Sequence, residues 1–290
     1  MTEQVAGGEA DKSADAGTCL SMLRDMDRDR YLACLLAPEE HRASLAALYA
    51  FNAEIARIRD TVREPLPGEV RMQWWRDLLE GNAHGDSHRH PIAAALLDTI
   101  AKHNLPRQTL INMIEARIFD LYDDTFENRN ALEGYAGETA SALIQLSSIV
   151  LSPEYAARNA ETAGHAGVAQ AMAGMLLLMP LHRRRGQVYV PQDMLAATGL
   201  DRESFLEGAD KDRIKAVIEI FCAHAQDHLD KARKSPFPAS LAPAFTPVAL
   251  VGPVLSKARK AGAGLLDRDI QLPLLRRHWL LAKAAYLKRF

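Results

Sequence analysis

Residues 48–62 read LYAFNAEIARIRDTV. Leu48, Phe51, Ile55, Ile58 and Val62 recur in steps of three and four, the spacing that puts side chains on one face of an α-helix. The same pattern runs outward in both directions. β-Branched and aromatic residues are sparse and no alternating run persists, whereas Ala, Leu, Glu and Arg dominate at helical spacing. Breaks fall at Pro38, at Pro65 and Pro67, between Gly81 and Pro91, at Pro106, near Pro153, between Gly186 and Pro191, and between Pro236 and Pro247. They divide the chain into about eight to ten helices. With no repeat and no Gly/Ser linker, the expected architecture is all-α: one helical bundle over residues 19–290, ending in a helix near Leu272 to Lys288.

The chain of 290 residues is 48% apolar and 25% charged, ordinary values for a globular protein able to bury a large core. Lys and Arg total 35 against 37 Asp and Glu, a net charge of −2. That balance gives no field that selects nucleic acid, and no nucleic-acid partner is expected. Cys19, Cys34 and Cys222 are widely spaced and form no CxxC, which fits a reducing, cytoplasmic setting. Residues 1–18 carry acidic side chains and lack an apolar signal core; they read as a disordered tail. Residues 162–181 hold no charged side chain but include three glycines, His165, Gln170 and Pro180, the mark of a buried helix rather than a membrane span.

No nucleophile elbow, phosphate loop or HExxH motif is present. His84, His88 and His90 lie in a Gly- and Asp-containing stretch without the helical spacing of a zinc site, and read as a polar loop. No metal-binding set is expected.

Longer segments carry a family pattern: DRDRYLACLLAPEEHRASLAALYAF (27–51), RMQWWRDLLEG (71–81), HPIAAAL (90–96), LEGYAGETASALIQL (132–146) and GQVYVPQDMLAATG (186–199). Their order and spacing resemble the squalene/phytoene synthase superfamily from about residue 20 onward. Within it the chain is most similar to the divergent branch that includes the mitochondrial complex I assembly factor, on the strength of YAFNAEIARIRD, MQWW and the basic stretch before GQVYVP. The resemblance implies an isoprenoid-synthase-like bundle with a central cavity. In active members two aspartate-rich motifs face each other across that cavity and hold magnesium against an isoprenoid diphosphate. Four-residue spacing brings two carboxylates to one face, and magnesium takes hard oxygen ligands.

Matched on YAF, the first motif becomes Ala56, Arg57, Ile58, Arg59 and Asp60; matched backward from Gly186 and Tyr189, the second becomes Leu178, Met179, Pro180, Leu181 and His182. Asp60 alone survives. Ala56, Leu178 and His182 are degenerate motif positions, too few oxygens remain for a magnesium cluster, and no cofactor is expected. Arg57, Arg59, His182, Arg183, Arg184 and Arg185 reverse the sign of charge at both motifs, which makes a cavity that binds an anion directly one reading. A solvated helix end complementing the helix dipole is the other reading of residues 182–185. Tyr49, Asn52, Ala56 and Asp60 share a face that the resemblance points into the cavity; structural hydrogen bonds are the alternative for Asn52 and Asp60.

The first functional expectation is therefore a non-catalytic protein that assists respiratory complex I assembly, with complex I subunits or assembly proteins as partners and an isoprenoid or anionic lipid as ligand. The alternative is a head-to-head prenyltransferase that draws magnesium ligands from Asp120, Asp123 and Asp124. The basic, amphipathic pattern around Trp279 and Tyr286 is explained by closure of the bundle or by peripheral contact with the inner membrane. The uncharged, proline-rich residues 235–256 read as a lining or lid of the cavity.

Overall fold

The computed structural model describes residues 15, 17–82 and 89–290. Most of the expected tail, and His84 and His88 of the polar loop, fall outside these residues. The helices are α1 (residues 17–26), α2 (Arg28–Leu36), α3 (Glu39–Thr61), α4 (Pro65–Glu80), α5 (Pro91–His103), α6 (Arg107–Ile118), α7 (Arg129–Ala136), α8 (Ala142–Leu151), α9 (Pro153–Arg158), α10 (Ala160–Arg184), α11 (Gln192–Ala196), α12 (Arg202–Glu207), α13 (Lys211–Lys234), α14 (Ala242–Phe245), α15 (Val251–Ala261) and α16 (Leu274–Leu287). No strand occurs among the described residues. Short helices such as α11 and α12 take the number above the eight to ten expected, because a single turn carries too little periodicity to be read from sequence.

The ends follow local chemistry. Pro38 precedes α3, whose first turn carries Glu39 and Glu40 against the positive end of the helix dipole. α4 opens on Pro65 and stops at Gly81 in the left-handed region. At the start of α5 the His90 ring accepts a hydrogen bond from the Ala93 backbone N–H, so this histidine is a helix cap. α12 is closed by a reciprocal capping box between Asp201 and Ser204.

α3 and α10 form the centre. Leu48, Phe51, Ile55 and Ile58 are buried, and α3 packs on α2, α4, α5 and α8. Trp75 of α4 closes edge-on to Phe51 at 5.1 Å, while half-buried Trp74 meets Trp75 at 80°; the adjacent rings face differently, as neighbouring helical positions require. α10 packs along α13, α8 and α15. Two stretches, Ala160–Arg184 and Ala239–Leu266, are long and apolar enough to cross a membrane, yet 56% and 61% of their most apolar windows are buried inside the bundle. The uncharged run 162–181 is therefore a core element here.

α10 comes so close to a π-helical turn at Gly137–Ser141 that a Cβ on Gly167 would lie 2.3 Å from the backbone N and Cα of Ser141. The Ser141 hydroxyl donates to the Gly164 carbonyl across the same contact. Glycine is required there by space, since α10 carries Gly167 in ordinary helix. All three cysteines are free and buried, and burial pushes the Cys19 and Cys222 thiols up to about 12. They are packing residues with no thiolate chemistry.

Candidate functional site

α3, α10, α2 and residues 247–254 enclose a cavity of about 430 Å³. Asn52, Ala53, Ala56, Arg57, Arg59 and Asp60 line it from α3. Leu178, Leu181, His182 and Arg185 face them from the end of α10, and Pro247, Leu250, Val251 and Val254 close the apolar side. The proline-rich segment thus lines the cavity, as its composition suggested.

The two motif helices meet through charge pairing. Arg185 donates to Asp60 at 2.6 Å. Arg59 faces Asp123 at 3.8 Å, and Arg30 of α2 is paired with Asp27 at 2.5 Å. Deeper in, Asp120 is only 6% exposed and is held from four directions. Arg117 donates to Oδ2 at 3.1 Å, the Tyr135 hydroxyl lies 2.9 Å from both carboxylate oxygens, the Tyr189 hydroxyl donates to Oδ1 at 2.8 Å, and the Gln187 amide donates to the Asp120 carbonyl at 3.0 Å. Burial and the Asp120 charge push both tyrosine hydroxyls well above their ordinary range. Burial alone would lower Arg117, but Tyr135 and Asp120 outweigh it and keep the guanidinium charged.

The basic residues expected to line the cavity divide by helical phase. His182 and Arg185 face inward. Arg183 turns the other way: its guanidinium donates to the carbonyls of Leu206 and Glu207 at 2.8 Å and pairs with Asp267, pinning the end of α10 to α12. Arg184 is exposed to solvent. Tyr49 lies deeper than the cavity, buried in the core with Arg30 over its ring at 5.8 Å. Arg30, Arg59 and Arg185 thus stand in ion pairs around the cavity, and Arg57 lines it with no ion pair or hydrogen bond among the described residues.

His182 packs against the Tyr189 ring at 4.5 Å with the planes tilted by 44°, and burial depresses its imidazole to about 4. It is neutral at physiological pH. Because the folded value lies below the unfolded one near 6.5, the unfolded chain takes up the extra proton, and this share of stability is complete above pH ~6.5 and lost as pH falls toward 4. His182→Gln is expected to flatten the melting-temperature profile between pH ~6.5 and 4 relative to wild type; an unchanged profile contradicts the buried neutral ring.

The sequence model of squalene/phytoene synthase matches residues 23–277. The chain belongs to this family. It is 33% identical over 273 residues to the NADH dehydrogenase (ubiquinone) complex I assembly factor 6 of Rattus norvegicus, covering 93% of this chain and 80% of the relative. It is 24% identical over 215 residues to the 15-cis-phytoene synthase of Synechococcus elongatus, covering 70% of each. A dehydrosqualene synthase crystallised with ligand superposes with a TM-score of 0.80 at 19% identity, covering 96% of this chain and 98% of that one, which establishes the shared fold.

The magnesium cluster that the fold family implies does not fit these residues. Ala56 and Leu178 bring hydrocarbon to the cavity where oxygen ligands would be needed, His182 brings a neutral ring, and Asp60 is engaged by Arg185. Nor do the substitute carboxylates converge. Asp120 lies in the cavity wall with its oxygens taken by Arg117, Tyr135 and Tyr189, Asp123 faces Arg59, and Asp124 lines a separate groove with Glu115, Glu127 and Glu138. Asp120, Asp123 and Asp124 thus do not share one metal position.

Proposed function

We propose that this protein is a non-catalytic member of the squalene/phytoene synthase family that assists assembly of respiratory complex I. The observation that carries this reading is the Arg185–Asp60 bridge at 2.6 Å. The surviving aspartate of the first motif is tied to an arginine beside the second, so the two helices are clamped by protein charges where a metal–diphosphate cluster would require free carboxylates. A cavity wall built from ion pairs is a scaffold element. The relatives named as complex I assembly factor 6 match this chain at 32–33% identity over most of its length, which supports the partner. Deleting the protein is expected to reduce assembled NADH dehydrogenase on native gels while its subunits are still synthesised; a deletion strain with normal assembled enzyme contradicts the role.

The same reading includes a cytoplasmic protein that makes peripheral contact with the inner membrane through α16. Leu281 and Ala284 close the bundle, but Leu275, Trp279 and Tyr286 are 82%, 60% and 85% exposed. They follow one another at helical spacing on the outer face, with Lys283 over the Trp279 ring at 5.0 Å. An exposed aromatic stripe with cations alongside suits the interface of an anionic bilayer. Sedimentation with anionic vesicles at low salt is expected, with loss in Trp279→Ser; no sedimentation of the wild type removes membrane contact from the proposal.

A further inference from the structure

His224 and His228 stand four residues apart on α13, one turn along the same face. Glu133 of α7 reaches them: its Oε1 lies 2.9 Å from His224 Nε2 and 3.4 Å from His228 Nε2. One ligand atom from each residue falls within 4.8 Å of the others. His165 of α10 completes the group from behind, its Nδ1 3.0 Å from His228 Nδ1. These residues lie outside the cavity described above. No rule of helix packing calls for three imidazoles and a carboxylate from three helices at one point.

We propose that Glu133, His224 and His228 form a binding site for a divalent transition ion of the zinc type, with His165 as the group that orients His228. Four observations converge on it. Imidazole nitrogen and carboxylate oxygen are the donor set of zinc. In a tetrahedral site with metal–ligand bonds of about 2.0–2.1 Å, neighbouring donors stand roughly 3.3 Å apart. The 3.4 Å separation of His228 Nε2 from Glu133 Oε1 matches that edge, and the 2.9 Å separation from His224 requires an opening of only a few tenths of an ångström.

His224 Nε2 is also buried without a properly directed hydrogen bond, although Glu133 is close. The two groups are close without the alignment of a donor and an acceptor. Finally, when His228 Nδ1–H donates to His165 Nδ1, the bare Nε2 is turned toward Glu133, the tautomer a metal requires. Three protein ligands leave a fourth position for solvent. A metal here would tie α7 to α13. Because α7 also carries Tyr135, whose hydroxyl holds Asp120, it would brace the cavity wall.

The test uses the tag-free full chain and Co²⁺ as a spectroscopic probe near neutral pH. The expected result is a saturable visible band of tetrahedral coordination at one equivalent, displaced by Zn²⁺, with a rise in melting temperature on Zn²⁺ addition. His224→Ala and the isosteric Glu133→Gln are expected to abolish the band while retaining wild-type circular dichroism, and His165→Ala to weaken binding by about 10–100-fold. If His224→Ala does not fold, Glu133→Gln decides. Absence of a saturable band in the wild type, or unchanged binding in Glu133→Gln, overturns the site.

Discussion

Asp120→Ala is expected to lower stability by about 3 kcal/mol, because it leaves the half-buried Arg117 guanidinium without its counter-charge and strips two tyrosine hydroxyls of their acceptor. In a chain of this size the melting temperature falls on the order of 10 °C. The carboxylate is the keystone between the end of α6, α7 and the loop after α10, all of which it joins. Asp120→Asn keeps the shape and an acceptor but removes the charge, so its loss is expected to lie between alanine and wild type. Thermal denaturation at neutral pH checks the series. A melting temperature for Asp120→Ala within ~2 °C of wild type would show that the ion pair only replaces solvation lost on burial.

Gly167→Ala is expected to be nearly as damaging, although it adds a single methyl group. The new carbon would stand 2.3 Å from the Ser141 backbone, and backbone at that position cannot turn aside as a side chain can. α10 must move away from the π-helical turn, which opens the packing of Thr139 and Ala140 at the cavity wall. Overpacking of this kind costs about 1–3 kcal/mol, and the rigid obstacle places this site at the upper end. In an ordinary helix interior the same exchange stabilises by roughly 1 kcal/mol, so the sign of the effect discriminates. Gly174→Ala is the control: it lies on the same helix with open space at its Cβ and is expected to be neutral or stabilising.

Helical periodicity makes the bundle legible in the sequence. The stripe Leu48, Phe51, Ile55 and Ile58 is buried as its spacing requires, and prolines mark the starts of α4, α5 and α9. The family pattern locates both motif helices and shows that their carboxylates, Asp60 excepted, are replaced. The partner of each charge is not legible in the same way. Arg183, Arg184 and Arg185 are consecutive, yet one pins a neighbouring helix, one meets solvent and one clamps Asp60; a turn of about 100° per residue separates their fates. Asp120 has the look of a spare metal ligand in a run of acids, because its tyrosine and arginine partners lie 3–69 residues away. The histidine group on α7, α10 and α13 escapes sequence reasoning, although His224 and His228 carry a signal in their four-residue spacing. The third histidine and the glutamate come from other helices and show no local pattern.

We propose that the cavity does not support magnesium–diphosphate chemistry. This is tested most directly by incubating the purified protein with farnesyl or geranylgeranyl diphosphate, with and without Mg²⁺, and measuring diphosphate release together with any long isoprenoid product. The expected result is no release above background in either condition, with any binding unchanged or weakened by Mg²⁺. Magnesium-dependent release accompanied by a condensed isoprenoid would contradict the claim and restore the family's synthase activity to this chain.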